Sequence, residues 1–320
     1  MFKWQKLGKI FDPREHPRWW LHEFAQAPAT LLFDNLLRVY FSGRPAPDAD
    51  GQYVSYTGFA DFDRRDPMKL LRVSDEPVLS LGGLGCFDEH GVYPASFIRR
   101  GGYTLMYYAG WKRCQSVRFD TAIGLAYSAG EDAVDFVRAG RGPIVGASRY
   151  EPFVLSGPKV RVFNGAWWLF YIAGREWRMI DGRTEPIYKI RVARSNNGID
   201  WTPHNANLIA DVLGDDEVQS GPDVHLGADG IYHMLFCFRE AGHHPDREGG
   251  LRIGYAWSEN LTTWHRDDAQ AGITIDPDPE AWDGQHIRYP HVFDLDGEQY
   301  MLFNGNEFGR HGFGLARGVG

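Results

Sequence analysis

The sequence is poor in cysteine and contains no long apolar run. Its three cysteines, Cys86, Cys114 and Cys237, lack the spacing of a metal site, so we expect buried, reduced thiols. No segment approaches the roughly 18 apolar residues of a membrane span. The first residues, MFKWQKLGKIF, lack the apolar core of a signal peptide. These absences predict a soluble, cytoplasmic protein.

Positive charge is also scarce in this chain. The formal net charge is −8 and the sequence pI is about 5.8, with no block of basic residues. We therefore expect no nucleic-acid partner and no anionic membrane surface as a partner. The 320 residues are 43% hydrophobic and 14% aromatic, which is enough for one large domain or two ordinary ones.

Motifs that would hold a cofactor or a metal are missing as well. No glycine-rich phosphate loop and no Gly-x-Ser-x-Gly elbow is present. Residues 48–51 (DADG) begin like a calcium loop, but the downstream acid is absent, which favours a plain turn. His243 and His244 could bind a metal, although adjacent histidines on a loop are more often simply exposed. We expect neither a cofactor nor a metal.

The feature that the sequence does contain is a long repeat. An alanine, as in GYA or RVA, and a proline that opens an apolar run each recur five times, at intervals of 60 to 68 residues. The alanines are Ala60, Ala126, Ala193, Ala256 and Ala316, and the prolines are Pro28, Pro94, Pro158, Pro222 and Pro290. Self-similarity at such a period is typical of repeat architectures. The chain is therefore expected to contain five structural units.

Each unit has the pattern of four short β-strands. A strand follows the proline, and after a turn come an aromatic-rich strand, an alanine-bearing strand and a strand with one aromatic residue. The turn dipeptides, of the type that supplies positive φ in two-residue hairpins, are Asp34-Asn35, Gly101-Gly102, Asn164-Gly165, Asp229-Gly230 and Asp296-Gly297. Helical periodicity is absent, which argues against a helical solenoid. This pattern predicts an all-β, five-bladed β-propeller that forms one domain over residues 1–320.

The fifth unit ends before its fourth strand. The blades are expected to begin near residues 21, 87, 151, 215 and 283, and the last one runs out at Ala316. Residues 2–11 resemble a fourth strand, with Trp4 in the place that Trp201 and Trp264 take in earlier units. We expect this segment to pair into the last blade, which removes an exposed sheet edge. Trp201 and Trp264 are expected to pack in the core.

The propeller arrangement predicts where a ligand would bind. The first strand of each blade lines a central channel, and the loops that lead into these strands meet at one mouth. Equivalent loops of three successive blades carry Asp88, Glu151 and Glu217, which we predict as catalytic residues. Sugar hydrolysis needs carboxylates on both sides of a scissile bond. A loop carboxylate is as often solvated or a turn cap, and Glu89 should point away from Asp88.

Other side chains near the same mouth are candidates for substrate binding. Aromatic rings suit the apolar face of a sugar, and arginine suits bidentate binding of an oxyanion. The candidates are His22, Gln26, His90, Trp111, Arg113, Arg239, Asp283, Arg288, Tyr289, Asn306 and Arg310.

The repeat units resemble those of the five-bladed glycosidase-like propellers. These are glycoside hydrolase families 32, 43 and 62 and the mannoside phosphorylases of family 130. The resemblance rests on YKIRVARSNNGIDW, IGYAWSENLTTW, YMLFNGN and blade openings built around an acid and a proline. It covers essentially the whole chain and implies a carbohydrate substrate cleaved by carboxylates.

The resemblance also implies roles for particular residues. Such hydrolases carry a base aspartate on the first blade, an aspartate on the second and an acid glutamate on the third. Asp88 matches the second-blade position, and Glu151 or its competitor Glu217 matches the third-blade acid. The first blade departs from this pattern, because residues 26–28 (QAP) stand where an aspartate is expected. Asp12 is a substitute only if the N-terminal segment folds over the mouth.

This departure leaves three functions open. Hydrolysis of a glycosidic bond by acid and base carboxylates is the first. A glycoside phosphorylase or a glycosyltransferase is the second. A phosphorylase needs no carboxylate base, because phosphate attacks, and Arg113, Arg239, Arg288 and Arg310 would suit phosphate, a sugar-nucleotide donor or a carboxylated sugar. A noncatalytic sugar-binding propeller is the third. The expected partner is an oligosaccharide or small-molecule substrate, with phosphate or a sugar nucleotide as an alternative.

Overall fold

Five four-stranded antiparallel sheets are arranged as the blades of a β-propeller. The computed structural model describes residues 2–242 and 250–319. The chain starts with β1 (Trp4–Phe11). The first blade is β2 (Glu23–Leu32), β3 (Leu36–Arg44), β4 (Tyr56–Asp63) and β5 (Asp66–Val73). The second is β6 (Gly91–Arg100), β7 (Tyr103–Arg113), β8 (Phe119–Ser128) and β9 (Val137–Arg138).

The remaining blades follow in chain order. The third is β10 (Phe153–Phe163), β11 (Ala166–Ile180), β12 (Arg183–Ser195) and β13 (Thr202–Pro203). The fourth is β14 (Glu217–Leu226), β15 (Tyr232–Glu240), β16 (Arg252–Ser258) and β17 (His265–Arg266). The fifth combines β18 (Arg288–Leu295), β19 (Glu298–Asn304) and β20 (Phe313–Gly318) with β1. Short helical turns cover Pro13–Glu15, Asp268–Gln270 and Asn306–Gly309.

The first strand of every blade is interrupted at its proline. The register of each innermost strand shifts beside that proline, as between Ser156 and Lys159 or between Arg288 and His291. The prediction that the prolines open these strands was wrong, because each lies within its strand, at a bulge. A bulge tolerates proline and re-aims the neighbouring side chains. Five such bulges surround the channel axis.

The predicted hairpin turns are confirmed in position and only partly in conformation. The two-residue turns at 101–102, 164–165 and 296–297 have positive φ at both positions. The turn at Asp34-Asn35 does not, because the loop there extends over residues 33–35 and needs no left-handed residue. At 229–230 only the glycine has positive φ, within a longer loop of residues 227–231.

The N-terminal strand closes the ring as predicted. β1 pairs antiparallel with β20, from Trp4 opposite Gly318 to Phe11 opposite Phe313. Lys6 on this strand places its Nζ 2.6 Å from the carboxylate of Asp283, which is buried. The first and last parts of the chain thus share one blade and one buried ion pair.

The core lies between the blades rather than at the axis. Phe170 of the third blade packs with Phe236 of the fourth, and Trp264 packs against this cluster. Trp201 packs against the cluster between the second and third blades, so both tryptophans are core residues, as predicted. Within the described ranges, no helix has the length and apolar character to cross a membrane.

The cysteines differ partly from expectation. All three are free thiols, but only Cys237 is buried. Cys86 and Cys114 lie on loops beside strand ends and are half-buried.

Candidate functional site

A cavity of about 640 Å³ lies at the mouth of the channel where the innermost strands of the blades begin. All five blades contribute to it through residues at or just before the bulge prolines, such as Gln26, Tyr93, Ser156, Ser220 and Tyr289. Its size is that of a small-molecule site. This end of the channel is the one at which the sequence predicts a site.

The wall of this cavity carries an excess of positive charge. Six of the described lining residues are cationic types and two are acidic. The six are Arg44, Arg113, Arg118, Lys159, Arg239 and Arg288, and the two are Glu185 and Glu307. The chain as a whole has a net charge of −8, so the cavity has the opposite sign to the molecule. Such focused charge attracts an anionic ligand.

Arg288 is the most deeply buried of the lining arginines. It is 3% exposed, and its guanidinium carbon lies 4.1 Å from the centre of the Tyr289 ring and 3.8 Å from that of Phe308. Nη2 donates to Tyr289 Oη at 2.8 Å, whereas Nε and Nη1 have no hydrogen-bond partner among the described residues. A buried guanidinium without a counter-charge is costly in the empty protein. An anion would supply that missing partner.

Arg44 has a similar setting on the first blade. Its guanidinium carbon lies 4.2 Å from the centre of the Phe24 ring, and its Nη2 donates to Gln26 Oε1 and to Tyr93 Oη. Tyr93 Oη in turn donates to Gln26 Oε1 at 3.0 Å. The Nε of Arg44 has no partner in the described part of the chain. Two arginines from adjacent blades therefore line one cavity, and each has an enclosed N–H group without a partner among the described residues.

The carboxylate of Glu307 belongs to an ionic chain at the edge of the cavity. Arg310 donates to Glu307 Oε2 at 3.0 Å and to Glu23 Oε2 at 2.6 Å, and Tyr53 Oη donates to Glu23 Oε1. Burial opposes ionisation of both glutamates, but these hydrogen bonds outweigh it and lower the pKa of Glu23 and of Glu307. Both carboxylates are therefore ionised at neutral pH.

Glu185 reaches the cavity from an extended hairpin. β11 and β12 continue beyond the other hairpins to the turn at Asp181-Gly182, and Glu185 lies on the returning strand. Arg118 Nη2 lies 2.8 Å from Glu185 Oε1, and Arg239 Nη2 lies 3.9 Å from Glu185 Oε2. The hairpin thus brings a carboxylate between two arginines of the cavity wall.

Unusual backbone conformations concentrate at this cavity. Twelve described residues other than glycine have positive φ, and six of them line it. The six are Phe24, Ala27, Val154, Tyr289, Glu307 and Phe308. Each such conformation costs roughly 1–2 kcal/mol in an L-residue. Strain held by the surrounding sheet is common at functional sites.

The three predicted catalytic acids lie elsewhere, inside the blades. Asp88 is fully buried, with Oδ2 2.7 Å from Arg138 Nε and 3.0 Å from Tyr108 Oη. Arg138 is on the fourth strand of the same blade and Tyr108 on the second. Asp88 therefore ties its own blade together and does not line the cavity. Glu89 points elsewhere, as expected, and accepts a hydrogen bond from the Gly85 amide.

Glu151 and Glu217 have the same kind of environment. Glu151 accepts hydrogen bonds from Tyr171 and Arg191, both in the third blade. Glu217 accepts from Arg266, Gln219 and two loop amides, and these bonds outweigh burial and lower its pKa. Neither residue lines the cavity. The equivalence seen in the sequence is real, and it is the equivalence of buried ion pairs.

The predicted binding residues divide into two groups. Gln26, Trp111, Arg113, Arg239, Arg288 and Tyr289 line the cavity. His22, His90, Asp283, Asn306 and Arg310 do not. Asp283 is paired with Lys6, and Asn306 bridges backbone groups at 281, 285 and 286, which explains their absence from the wall. Asp12 is likewise outside, held by Lys9 and Arg14.

Several lining residues were not predicted from the sequence. Arg44 ends the second strand of its blade, Lys159 follows a bulge proline, and Glu185 follows the Asp181-Gly182 turn. Two of these had a readable signal, since Lys159 lies next to a repeat proline and an Asp-Gly dipeptide marks the hairpin turn before Glu185. Glu307 and Phe308 lie in a helical turn that the strand pattern does not reveal.

The structure also bears on the possible metal ligands of the sequence. Residues 2–242 and 250–319 contain no group of three or more metal-binding side chains. The turn at residues 48–51 is a plain one, in which Asp48 Oδ1 accepts from the amides of Asp50 and Gln52. His243 and His244 lie outside the described residues.

Two curated proteins of Mycobacterium tuberculosis are similar to this chain over nearly its whole length. They are "Uncharacterized protein MT1551" (strain CDC 1551 / Oshkosh) and "Uncharacterized protein Rv1502" (strain ATCC 25618 / H37Rv). Each is 35% identical over 313 residues, which are 98% of this chain and 98% of the relative. No protein-family model matches the chain.

Solved structures of glycoside hydrolases share the five-bladed fold. A structure described as "Glycoside hydrolase" has a TM-score of 0.74 at 18% identity, covering 98% of this chain and 90% of that one. A thermostable family-43 glycoside hydrolase has a TM-score of 0.64 at 15% identity, covering 95% and 90%. A structure of the GH130 family of mannoside phosphorylases has a TM-score of 0.70 at 13% identity, covering 99% and 93%. The resemblance to glycosidase-like propellers is confirmed.

Proposed function

Since the chain belongs to the same family as the Mycobacterium tuberculosis proteins MT1551 and Rv1502 and shares its fold with glycoside hydrolases, we propose a function from the chemistry of its cavity. The protein is a carbohydrate-active enzyme that cleaves or transfers a glycosidic bond in a substrate with a negative charge. The buried guanidinium of Arg288, two of whose nitrogens have no partner among the described residues, carries this proposal.

The charge of the substrate follows from the cavity wall. Neutral sugars are bound by hydrogen bonds and ring stacking, and they need no unpaired guanidinium groups. Phosphate and carboxylate groups match the fork of Arg288 or Arg44 in geometry and in charge. A sugar phosphate, a sugar nucleotide or a carboxylated sugar therefore fits better than a neutral oligosaccharide. Tyr289, Phe308 and Trp111 offer ring faces for the sugar itself.

The catalytic carboxylates are taken from the cavity wall in this proposal. Glu185 and Glu307 are the described carboxylates on that wall, and they come from the third and the fifth blades. Both are held near arginines, so they suit proton acceptance or stabilisation of positive charge at the anomeric carbon. Asp88, Glu151 and Glu217 then stabilise the blades and do not touch the substrate.

A noncatalytic sugar-binding propeller is the second candidate. The observation that favours it is the ion pairing of both wall carboxylates, Glu185 with Arg118 and Glu307 with Arg310. A carboxylate that is fully committed to an arginine is a poor proton donor. The enzyme and the binding module are both expected to bind a charged ligand, and only the enzyme converts it to product.

Thermal shift with a matched ligand panel tests the charge of the substrate. The panel is inorganic phosphate, glucose 1-phosphate, glucuronic acid, UDP-glucose and glucose, all at equal ionic strength. Ligands that bind the native state raise the melting temperature by mass action. We expect stabilisation by charged members and none by glucose. Stabilisation by neutral sugars alone would overturn the proposal.

Turnover then separates the enzyme from the binding module. Release of free sugar or phosphate from the stabilising glycosides is measured for the wild type, Glu185→Gln and Glu307→Gln. An enzyme loses most of its turnover in at least one variant while ligand stabilisation persists, and Glu89→Gln is the control outside the cavity. Absence of turnover with every stabilising glycoside favours the binding module. Dependence on added phosphate distinguishes phosphorolysis from hydrolysis.

A further inference from the structure

Lys159 is a deeply buried lysine on the cavity wall. It lies on β10, one residue after the bulge proline, and is 7% exposed. Its Nζ lies 2.8 Å from His291 Nδ1 and 3.7 Å from Asp223 Oδ1. Among the described residues, only the imidazole is within hydrogen-bond distance. A charged ammonium has three N–H donors and would leave two without a partner.

The tautomer of His291 determines what this contact is. The Thr30 amide donates to His291 Nε2 at 3.0 Å, and Thr30 Oγ1 lies 2.8 Å from the same nitrogen. A backbone N–H can only donate, so Nε2 is the acceptor and carries no proton. The proton of the neutral ring is therefore on Nδ1. It points to Lys159 Nζ, so this contact is made by the uncharged form of the amine.

The neighbouring carboxylate does not demand a charged lysine. Asp223 forms an ion pair with Arg161 and accepts the Val292 amide on its other oxygen. Its charge is thus already compensated. Lys189, another buried lysine of the same chain, shows the opposite setting, with Nζ 2.6 Å from Asp211 Oδ1 and 2.6 Å from the Glu217 carbonyl. Lys189 is surrounded by acceptors, whereas Lys159 faces a donor.

We propose that Lys159 is an uncharged, nucleophilic amine on the cavity wall, which captures aldehydes that carry an anionic group as reversible imines. Nζ adds to the carbonyl carbon, and the carbonyl oxygen leaves as water with the two amine hydrogens, so no oxidant or reductant is needed. Rotation about the Cε–Nζ bond turns the lone pair from His291 towards the cavity. The open-chain form of a phosphorylated or carboxylated aldose has the required groups.

Burial also favours the uncharged form of this amine. Burial lowers the pKa of Lys159 to about 8, and Arg161 adds to the effect, while Asp223 opposes it. The groups that face the amine are Arg161 on its own strand, Asp223 on β14 and His291 on β18, and Thr30 on β2 contacts the far nitrogen of the His291 ring. Half of the amine is therefore uncharged near pH 8, where an ordinary lysine is almost fully protonated.

The preference for an anionic aldehyde rests on the proposed function, whereas the reactivity of the amine does not. The test uses pyridoxal 5′-phosphate and 5′-deoxypyridoxal, which lacks the phosphate group and, like the phosphorylated compound, cannot close to a cyclic hemiacetal. The full-length protein is incubated with each at pH 8, reduced with borohydride and mapped by peptide mass spectrometry. We expect Lys159 to be labelled at least ten times faster than Lys189 and the surface lysines, and faster by the phosphorylated aldehyde.

Each result has a separate meaning. Labelling of Lys159 no faster than of surface lysines overturns the inference, whatever the substrate of the enzyme. Equal labelling by both aldehydes leaves the reactive amine intact and contradicts the preference of the cationic cavity for an anionic ligand. Labelling rates of the wild type are expected to level off above pH 8, while those of surface lysines continue to rise. Lys159→Met should lose the label and keep its melting transition. If this variant does not fold, the peptide map of the labelled wild-type protein decides whether Lys159 is the reactive amine.

Discussion

The guanidinium carbon of Arg288 lies 4.1 Å from the centre of the Tyr289 ring and 3.8 Å from that of the Phe308 ring. The group is buried, and two of its nitrogens have no partner in the described part of the chain. The two rings restrict the movement of the guanidinium, which lines the cavity. This arrangement favours a planar or tetrahedral oxyanion over a neutral hydroxyl.

Arg288→Met is expected to separate ligand binding from stability. Methionine keeps most of the length of the side chain and its contact with the two rings, and it removes an uncompensated buried charge. We expect the melting temperature without ligand to stay equal or to rise. Phosphate should bind about 100-fold more weakly, because two charge-assisted hydrogen bonds are lost.

Thermal shift against phosphate concentration measures both effects at once. Arg141→Met is the matched control, since Arg141 is exposed and does not line the cavity. A large drop in the melting temperature of Arg288→Met without ligand would instead mean that the cation stabilises the fold. Unchanged phosphate affinity would remove Arg288 from the site.

Asp88→Asn is expected to affect folding rather than catalysis. The carboxylate is buried and paired with Arg138, and loss of one member of such a pair costs about 3 kcal/mol. Chemical denaturation should show this loss, and the specific activity of the folded protein should be unchanged. Glu89→Gln, one residue away and half-buried on the same loop, should change neither the free energy of unfolding nor the specific activity. Loss of turnover at full stability would return Asp88 to a catalytic role.

This placement of the acids explains what the sequence could and could not predict. Period, strand count, turn dipeptides and ring closure are all local or periodic signals, so the propeller follows from them. The partner of Asp88, however, is Arg138, fifty residues later, and that of Glu217 is Arg266. Equivalent positions on successive blades are consistent with a shared site or with a shared structural pair. The two interpretations differ in the direction in which the side chains point, which the sequence alone does not give.

The residues that line the cavity could also be predicted only in part from the sequence. Gln26 and Arg288 were found because they lie next to bulge prolines, which mark the channel mouth. Arg44 and Glu185 come from the end of a second strand and from a returning hairpin, and no spacing rule connects them with the mouth. Strand length and twist bring them there.

Acid sensitivity is expected from His225, a half-buried histidine whose two ring nitrogens are enclosed and have no hydrogen-bond partner in the described part of the chain. Burial lowers its pKa from 6.5 to about 4. Between these pH values the unfolded chain binds a proton that the native protein does not, so stability falls as the pH falls through this window. At about 1.4 kcal/mol for each pKa unit, the loss from this residue is roughly 3 kcal/mol.

The variant His225→Gln tests this expectation, because glutamine does not titrate. The free energy of unfolding, measured by denaturation between pH 4 and 7, should depend less steeply on pH in the variant. His204→Gln, at an exposed position, should keep the wild-type slope. Identical slopes for all three proteins would show that His225 is protonated equally in both states.

The ion pair between Lys6 and Asp283 is expected to stabilise the closure of the ring. Asp283 is buried, and Lys6 Nζ at 2.6 Å is the cation that compensates it. Lys6→Met should therefore lower the free energy of unfolding by about 2 kcal/mol, since a buried carboxylate loses its partner. Lys9→Met on the same strand is the matched control, because Asp12 keeps the backbone amide and the guanidinium of Arg14. Its loss should stay below about 1 kcal/mol. Equal losses in the two variants would mean that the strand as a whole, and not the Lys6–Asp283 pair, fastens the fifth blade.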